Sequence, residues 1–275
     1  MRIARTMMSF PGGKKKAFTL SYDDGHRCDL RFLDIINKNG LKCTFNLNMG
    51  IVANDKNSGR LMREEYTCYE GHEVATHGYT HPFFSQLSPS CVTFEIAKDK
   101  EEMEAFFGRI IRGHAYAYGD YDDTSVEILK NTGIVYARTT KPTLSFNIPA
   151  DWLRLHPTCH HAHTETKNLI ERFITEEVKY MPRLFYMWGH TYEFDFNKPC
   201  NNWDYAEEIF SRIGGHDDIW YATNIEIYDY VQAYNSLIWS MDGTICHNPT
   251  STDVCVRYPF KEEFITVPAG STVKL

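Results

Sequence analysis

The sequence predicts an α/β fold in which seven or eight strand-then-helix units build a parallel barrel, followed by a small C-terminal β appendage. Two observations predict it. Short apolar runs typical of buried strands alternate with segments whose apolar residues recur at helical spacing, from about residue 16 to residue 235. The alternation then stops, and residues 240–275 hold Gly, Pro, Thr and Val in short β-like pieces. We therefore expect a barrel over residues 1–238 and a β extension over 239–275 packed on it.

Size and composition are those of one folded unit, with 275 residues of which 43% are hydrophobic. A net charge of −7 without a dense basic stripe argues against a nucleic-acid partner. No segment approaches the ~20 apolar residues of a membrane span. The N-terminus lacks the apolar core of a signal peptide, so we expect a cytoplasmic protein, with a mature secreted form as the open alternative. The eight cysteines form no Cys-x-x-Cys pair and are expected to be free thiols. The sequence leaves the oligomeric state open.

The first half of the chain is expected to supply four strands of the barrel. Residues 1–15 contain a Pro-Gly-Gly triplet and little periodicity, which indicates an irregular approach or a short edge strand. The helices that follow are expected to begin at the capping residues Asp29 and Ser90 or Thr93 and to end at glycines. β-branched and aromatic residues predict strands at 18–22, 41–47, 73–75 and 110–113.

The second half continues the same alternation. Helical spacing of apolar residues predicts helices over 124–132, 165–179, 203–213 and 224–235, the first of them capped by Thr124. Strands are predicted at 135–138, 153–156, 184–188 and 219–222. This number of strand-then-helix units in one chain predicts a parallel barrel.

Two adjacent carboxylates, Asp23 and Asp24, end the first predicted strand. Neighbouring acids repel each other unless a cation separates them, and a metal would make one a ligand and leave the other free as a base. Further ligands are available at His77 and His81, which follow the third strand. Two imidazoles with one carboxylate suit Zn²⁺, with Co²⁺, Ni²⁺ or Mn²⁺ as alternatives, and leave a position for a water whose pKa the metal would lower from ~15.7 towards ~7.

Other chemically active groups also follow predicted strands. An aromatic loop at 114–119 follows the fourth strand, and His190 follows the strand at 184–188. In a β/α barrel, functional groups collect at the carboxyl ends of the strands. The coincidence predicts a single site at that end.

Residues 21–25 (Ser-Tyr-Asp-Asp-Gly) resemble the first motif of the polysaccharide deacetylases of carbohydrate esterase family four, the NodB homology family. Residues 77–81 resemble the second motif, with Gly78 in place of its hydroxyl residue. The resemblance implies a distorted (β/α)7 TIM-like barrel. It also implies Asp23 as general base and Asp24, His77 and His81 as metal ligands.

The later motifs of this family match less closely. Residues 187–190 are similar to the fifth motif, which implies that His190 is the general acid. At the third motif Tyr118 keeps a backbone N–H that is expected to bind the oxyanion, but Ala115 stands where the family has its arginine. Arg112, or Arg138 from the next strand, is expected to substitute.

For the fourth motif, whose carboxylate tunes the acid histidine, Asp151 with Trp152 is the match in sequence order, and its alternative is an ordinary turn residue. A histidine-rich segment raises the question of a second metal, but we favour histidines at the rim of the site or with structural roles. Its members are His156, His160, His161 and His163. Four aromatic residues near strand ends are candidates for stacking on sugar faces: Tyr116, Tyr118, Trp152 and Trp188.

The resemblance implies a hydrolase that removes acetyl groups from an N- or O-acetylated sugar or polysaccharide. Two alternatives stay open at the level of the sequence. One is a hydrolase of a non-sugar amide or ureide on the same fold, which a narrow closed pocket would favour. The other is a catalytically degenerate protein that binds glycans without turnover, which the altered third motif keeps open.

Overall fold

A computed structural model describes residues 6–53 and 58–275, and its parallel strands form a curled half-barrel surrounded by helices. The strands are β1 (Met7–Ser9), β2 (Lys16–Asp23), β3 (Cys43–Leu47), β4 (Glu73–Thr76), β5 (Gly113–Ala115), β6 (Tyr136–Arg138), β7 (Cys159–His160), β8 (Arg183–His190), β9 (Ile219–Tyr221), β10 (Ile238–Trp239), β11 (Ile245–His247), β12 (Val254–Arg257), β13 (Phe264–Val267) and β14 (Thr272–Lys274). The barrel sheet runs β6-β5-β4-β3-β2-β8-β7, and β9 also pairs with β2. The predicted α/β barrel class is confirmed.

The central strand β2 positions the candidate site. It is buried along its whole length, because its apolar residues face the layers on both sides, as expected for a parallel strand covered by helices. Its register places Asp23 beside Asn46 of β3 and beside His190 of β8. The carboxyl-terminal ends of three neighbouring strands therefore meet at one edge of the sheet.

Six helices lie among the described residues: α1 (Cys28–Lys38), α2 (Pro89–Phe107), α3 (Asp123–Asn131), α4 (Thr166–Thr175), α5 (Trp203–Ile213) and α6 (Asn224–Asn235). Side-chain caps fix several of their starts, but not all where the sequence predicted them. Ser88 caps α2 and Asp122 caps α3, a few residues before the predicted Ser90 or Thr93 and Thr124. Asp29 is the second residue of α1 and not its cap.

Two strand predictions differ from the structure. The predicted strand at 153–156 is a 3₁₀ turn, Trp152–Arg154, followed by a single parallel bridge between Arg138 and Leu155. The fourth barrel strand, predicted at 110–113, begins only at Gly113. This shift of three residues decides which end of the barrel Arg112 occupies.

The C-terminal residues form two small antiparallel sheets, β1-β12-β13 and β10-β11-β14. Within the segment predicted as an irregular approach or edge strand, β1 pairs with β12, while residues 1–5 lie outside the described part. The sheets pack on α6 through a cluster that includes Ala233, Cys246 and Val254. A division of the chain at residue 238 stays a prediction. Among the described helices, none is both long and apolar enough to cross a bilayer.

Candidate active site

Asp23 is a buried, ionised carboxylate at the end of β2. Only 2% of the residue is exposed. Asn46 Nδ2 donates to Oδ1 over 2.7 Å, and Arg138 Nη2 donates to Oδ2 over 2.5 Å. Burial alone would raise the pKa of Asp23, but the charges of Arg138 and the nearby histidines and the Asn46 bond lower it below its usual value.

Arg138 comes from the end of β6 and is fully buried. Its guanidinium lies 4.4 Å from the ring centroid of Trp188, which gives the planar cation an aromatic face as well as a carboxylate partner. In the sheet register Arg138 is the partner of Ala115, the position where the resemblance expected an arginine. The guanidinium thus comes from the adjacent strand, at the same level of the barrel.

Asp24, His77 and His81 converge beside Asp23. One ligand-type atom of each residue lies within 4.8 Å of those of the other two. The Nε2 atoms of His77 and His81 are 3.2 Å apart, and His81 Nε2 is 3.7 Å from Asp24 Oδ1. This is the N,N,O set that the sequence predicted, brought together from the ends of β2 and β4.

The tautomer of His77 and the protonation state of His81 suit a divalent cation. His77 Nδ1 donates to the carbonyl oxygen of Ala115 over 2.7 Å, so its Nε2 presents a lone pair to the site. Burial and the neighbouring His77 lower the pKa of His81 to about 4, which keeps that imidazole neutral at pH 7. Two imidazoles and a carboxylate fit Zn²⁺ or a similar metal.

The backbone of His77 is held by a buried acid. Asp99, on α2, accepts from the N–H of His77 over 3.0 Å and from the N–H of Met49 over 2.7 Å. Burial raises the pKa of Asp99 to about 7 although both bonds oppose the shift. The sequence offered no sign of this residue, because it lies inside a helix that reads as solvated and charged.

His190 faces the two acids from the end of β8. Its Nε2 lies 3.8 Å from Asp23 Oδ2 and 4.0 Å from Asp24 Oδ2, while its Nδ1 lies 3.3 Å from Glu193 Oε1. Burial would lower the pKa of His190, but Glu193 and the two aspartates outweigh it and raise the pKa above the usual value. The raised pKa favours the protonated form of His190.

Glu193 is a functional candidate that the sequence analysis missed. It lies three residues after His190 on a 3₁₀ turn, Thr191–Phe196, and its Oε2 is 3.0 Å from His160 Nε2 and 3.2 Å from His161 Nε2. Burial would raise the pKa of Glu193, but its three histidine neighbours hold it well below the usual value. A carboxylate this close in sequence to a strand-end histidine was the available signal.

The histidine-rich segment divides into separate roles. His160, His190 and Glu193 are close enough to hold a metal. However, His160 Nδ1 accepts from the Ala162 N–H over 3.1 Å, so its proton is on the nitrogen that faces Glu193. The arrangement is therefore a cluster of ion pairs behind His190, in which the Glu193 carboxylate lies between the imidazoles. His161 bonds to Tyr22 and Asn201, whereas His156 bonds to Thr139 and His163 to the backbone of Glu165.

Tyr118 forms the rim of the site on the side of His81. It has φ +59° in the turn after β5, and its ring stacks on Phe83 with centroids 3.9 Å apart and planes 6° apart. The same ring lies 4.5 Å from that of His81. Tyr118 is 56% exposed and Phe83 40% exposed, whereas Tyr116 and Trp188 are buried and Trp152 packs against Tyr228.

Two predicted site residues are not at the site. Arg112 precedes β5 and therefore lies at the opposite end of the barrel, where it forms a bidentate ion pair with Asp229 at 2.9 and 2.5 Å. Asp151 is exposed, caps the turn Trp152–Arg154 and pairs with Arg154. Their places beside the aspartate and the histidine are taken by Arg138 and Glu193.

Comparison with known proteins identifies a family that the chain resembles. Residues 11–137 match the family model of polysaccharide deacetylases. The uncharacterized protein YlxY of Bacillus subtilis is 24% identical over 134 residues, which are 49% of this chain and 40% of that protein. The chain thus spans well under half of that curated relative.

Solved structures share the fold. A candidate polysaccharide deacetylase from Mycobacterium smegmatis has a TM-score of 0.57 at 15% identity, over 84% of this chain and 95% of that one. A mutant of the peptidoglycan deacetylase PdaC from Bacillus subtilis has a TM-score of 0.51 at 16% identity, over 81% and 94%. A mutant family-four pseudoenzyme with restored activity has a TM-score of 0.50 at 19% identity, over 82% and 71%. The predicted family resemblance and the predicted barrel are confirmed.

Proposed function

We propose, from the premise that this chain resembles the polysaccharide deacetylases of carbohydrate esterase family four, that it is a metal-dependent hydrolase of acetylated saccharides. It would remove acetyl groups from an N- or O-acetylated sugar or polysaccharide. The observation that carries the proposal is the convergence of Asp23, Asp24, His77 and His81 from two strand ends, with one aspartate left beside the three ligand candidates. If these four side chains had only a structural role, three of them would not need to face one point with the fourth beside them.

Asp24, His77 and His81 would hold the metal, for which Zn²⁺ suits the donor set best and Co²⁺, Ni²⁺ or Mn²⁺ are alternatives. When bound, such an ion makes water more acidic and polarises a carbonyl oxygen. The bond from His77 to Ala115 supports this assignment, because it fixes the tautomer that a metal ligand needs.

Asp23 would act as the general base. It takes a proton from the attacking water while the water oxygen forms a bond to the acetyl carbonyl carbon. Arg138 and Asn46 each bond one oxygen of its carboxylate, which fixes its orientation and keeps it ionised. The Tyr118 N–H is the candidate donor to the carbonyl oxygen as negative charge develops there.

His190 would act as the general acid. The carbon–nitrogen or carbon–oxygen bond to the sugar breaks as His190 gives its proton to the leaving atom, and the products are acetate and a free amine or hydroxyl group. Glu193 supports this role, because its carboxylate at 3.3 Å from Nδ1 favours the protonated imidazole that the step consumes.

The rim favours a saccharide over a small amide or ureide. A substrate confined in a closed pocket would need its aromatic walls to be covered, whereas Tyr118 and Phe83 present an exposed stacked pair beside His81. Aromatic faces of this kind pack against the apolar faces of sugar rings. A measurement of acetate release separates the proposed hydrolase from the degenerate protein that binds glycans without turnover.

The test is acetate release from N-acetylglucosamine oligomers and acetylated xylan, before and after chelation and after Zn²⁺ or Co²⁺ is restored. We expect release that stops on chelation, returns with metal and falls by at least about 10²-fold in Asp23→Asn. Asp34→Asn, which alters an exposed acid on α1, is the matched control and should release acetate as the wild type does. Glycan binding without release under any metal would select the degenerate alternative and refute the proposal.

A further inference from the structure

Arg60 lies directly against the turn that carries Asp24. Residues 59–61 pair antiparallel with 25–27, with Arg27 N–H bonded to Gly59 O over 2.9 Å and Leu61 N–H to Gly25 O over 2.9 Å. This pairing places the Arg60 side chain, only 27% exposed, over the end of β2. Its Nη1 donates to the carbonyl oxygen of Asp24, and its Nη2 lies 3.4 Å from Asp24 Oδ1.

The backbone of Asp24 requires such support. Its φ is +83°, in the left-handed region that residues with a side chain rarely adopt unless the surroundings hold them there. A guanidinium can bridge a carbonyl oxygen and a carboxylate oxygen at once, because its donors are arranged in a rigid fork. Arg60 therefore fixes both the strained main chain and the carboxylate of the same residue.

We propose that Arg60 is a positioning residue for Asp24 and thereby sets the metal affinity of the site. The inference rests on the proposed function, in which Asp24 is a ligand. Partners that orient a metal ligand typically change metal affinity by about 10- to 100-fold when they are removed. By positioning Asp24, Arg60 strengthens metal binding, whereas its positive charge alone would weaken it.

Because positioning and charge repulsion affect metal binding in opposite directions, a measurement of metal affinity separates them. Asp24 Oδ1 lies 3.7 Å from His81 Nε2 and 3.4 Å from Arg60 Nη2, so the guanidinium is close to the oxygen that a metal would bind. Coulomb repulsion alone predicts that removing Arg60 would strengthen metal binding. Loss of the positioning contact predicts that it would weaken binding.

The experiment is titration of Zn²⁺ alone into metal-free protein, with the dissociation constant obtained by competition with a chromophoric chelator. We expect Arg60→Ala to raise the Kd for Zn²⁺ by at least about 10-fold. Arg60→Lys, which keeps the charge but lacks the fork, should also weaken binding, because an ammonium cannot make both contacts in this geometry. Arg27→Ala is the control. It removes a charge two residues after the Asp24–Gly25 turn, from a side chain that pairs with Glu65, and should leave the Kd within about twofold of the wild-type value.

The unfolding transition of each metal-free variant is compared with that of the wild type to verify that the variant is folded. A Kd for Arg60→Ala equal to or below that of the wild type, or an Arg60→Lys variant that binds Zn²⁺ as tightly as the wild type, overturns the positioning role. Wild-type protein that binds no Zn²⁺ overturns the metal site of the proposed function and this inference together. Wild-type binding with unchanged variants overturns this inference alone.

Discussion

Arg138 reaches across the barrel to Asp23, with Nη2 2.5 Å from Oδ2, although β6 lies four strands away from β2 in the sheet. The curl of the sheet makes the contact possible, since a flat sheet would hold the two strand ends far apart. Both groups are withdrawn from solvent, with exposures of 0% and 2%. A charge pair this buried holds the carboxylate ionised and in one orientation.

We therefore predict that Arg138→Met raises the pKa of Asp23. The base works only when ionised, so the acidic limb of the kcat/KM profile should move to higher pH by about 1–3 units, which is the usual effect of an adjacent arginine on an aspartate. Arg112→Met, which breaks an ion pair with Asp229 at the other end of the barrel, should leave the profile unchanged. Equal profiles for both variants would remove Arg138 from the mechanism.

Glu193 leads to a prediction for the basic limb of the kcat/KM profile. Glu193→Gln removes the charge that raises the pKa of His190, so the acid form should be lost at lower pH and the basic limb of the kcat/KM profile should move down. Asp151→Asn, at the position that the sequence pattern favoured, should leave this limb in place because Asp151 pairs with Arg154 on the surface. A shift in the Asp151 variant and none in the Glu193 variant would reverse the assignment.

The stacked pair at the rim is expected to bind the sugar next to the reacting acetyl group. Phe83→Ala removes half of the stack without touching the ligand candidates, and we expect KM for oligosaccharides to rise by about 2- to 12-fold, the equivalent of roughly 0.5–1.5 kcal/mol. The value of kcat should change little. Phe260→Ala, at an exposed phenylalanine of the C-terminal segment, is the control. A KM that stays the same in Phe83→Ala would favour the small-amide alternative.

The parts of the site that the sequence predicted are local in the chain. Asp23 and Asp24 are adjacent at a strand end, and His77 and His81 are one short loop apart, so strand–loop patterning was sufficient to place them together. The pairing of segments that are distant in the chain does not follow from such local patterns. The sequence offered Arg112 and Arg138 as substitutes without choosing between them, and the sheet register decides for Arg138, which is the partner of Ala115.

A boundary error explains the misplacement of Arg112, and a choice made by sequence order explains that of Asp151. Had β5 ended near residue 113, as predicted, Arg112 would lie near the carboxyl end of the barrel, but β5 begins there and reverses the assignment. Asp151 was chosen by sequence order, yet its carboxylate already accepts from two backbone N–H groups of the turn that it caps. Glu193 had no motif to mark it, and only the turn after β8 directs it back to His190.

The buried His72, which lies away from the candidate site, leads to a prediction for the stability of the fold in acid. His72 is 5% exposed; its Nδ1 accepts from the N–H of Cys43 over 3.2 Å and its Nε2 lies 2.9 Å from Asn37 Oδ1. Protonation would place a hydrogen on Nδ1 against the Cys43 N–H. Burial, with a smaller contribution from Lys42, lowers the pKa of His72 to about 4.

The unfolded chain binds this proton at a pKa of about 6.5, so the neutral histidine stabilises the fold fully above that pH. As the pH falls from about 6.5 to 4, the free energy of unfolding should decrease by up to about 1.4 kcal/mol per unit from this one group. Urea unfolding of His72→Gln between pH 4.5 and 7.5 should show a shallower slope than the wild type. Some slope will persist, because burial also lowers the pKa of His161, to about 3. His216→Gln, at a partly exposed histidine, should keep the wild-type slope. An unchanged slope in His72→Gln would mean that protonation of His72 costs the fold no stability.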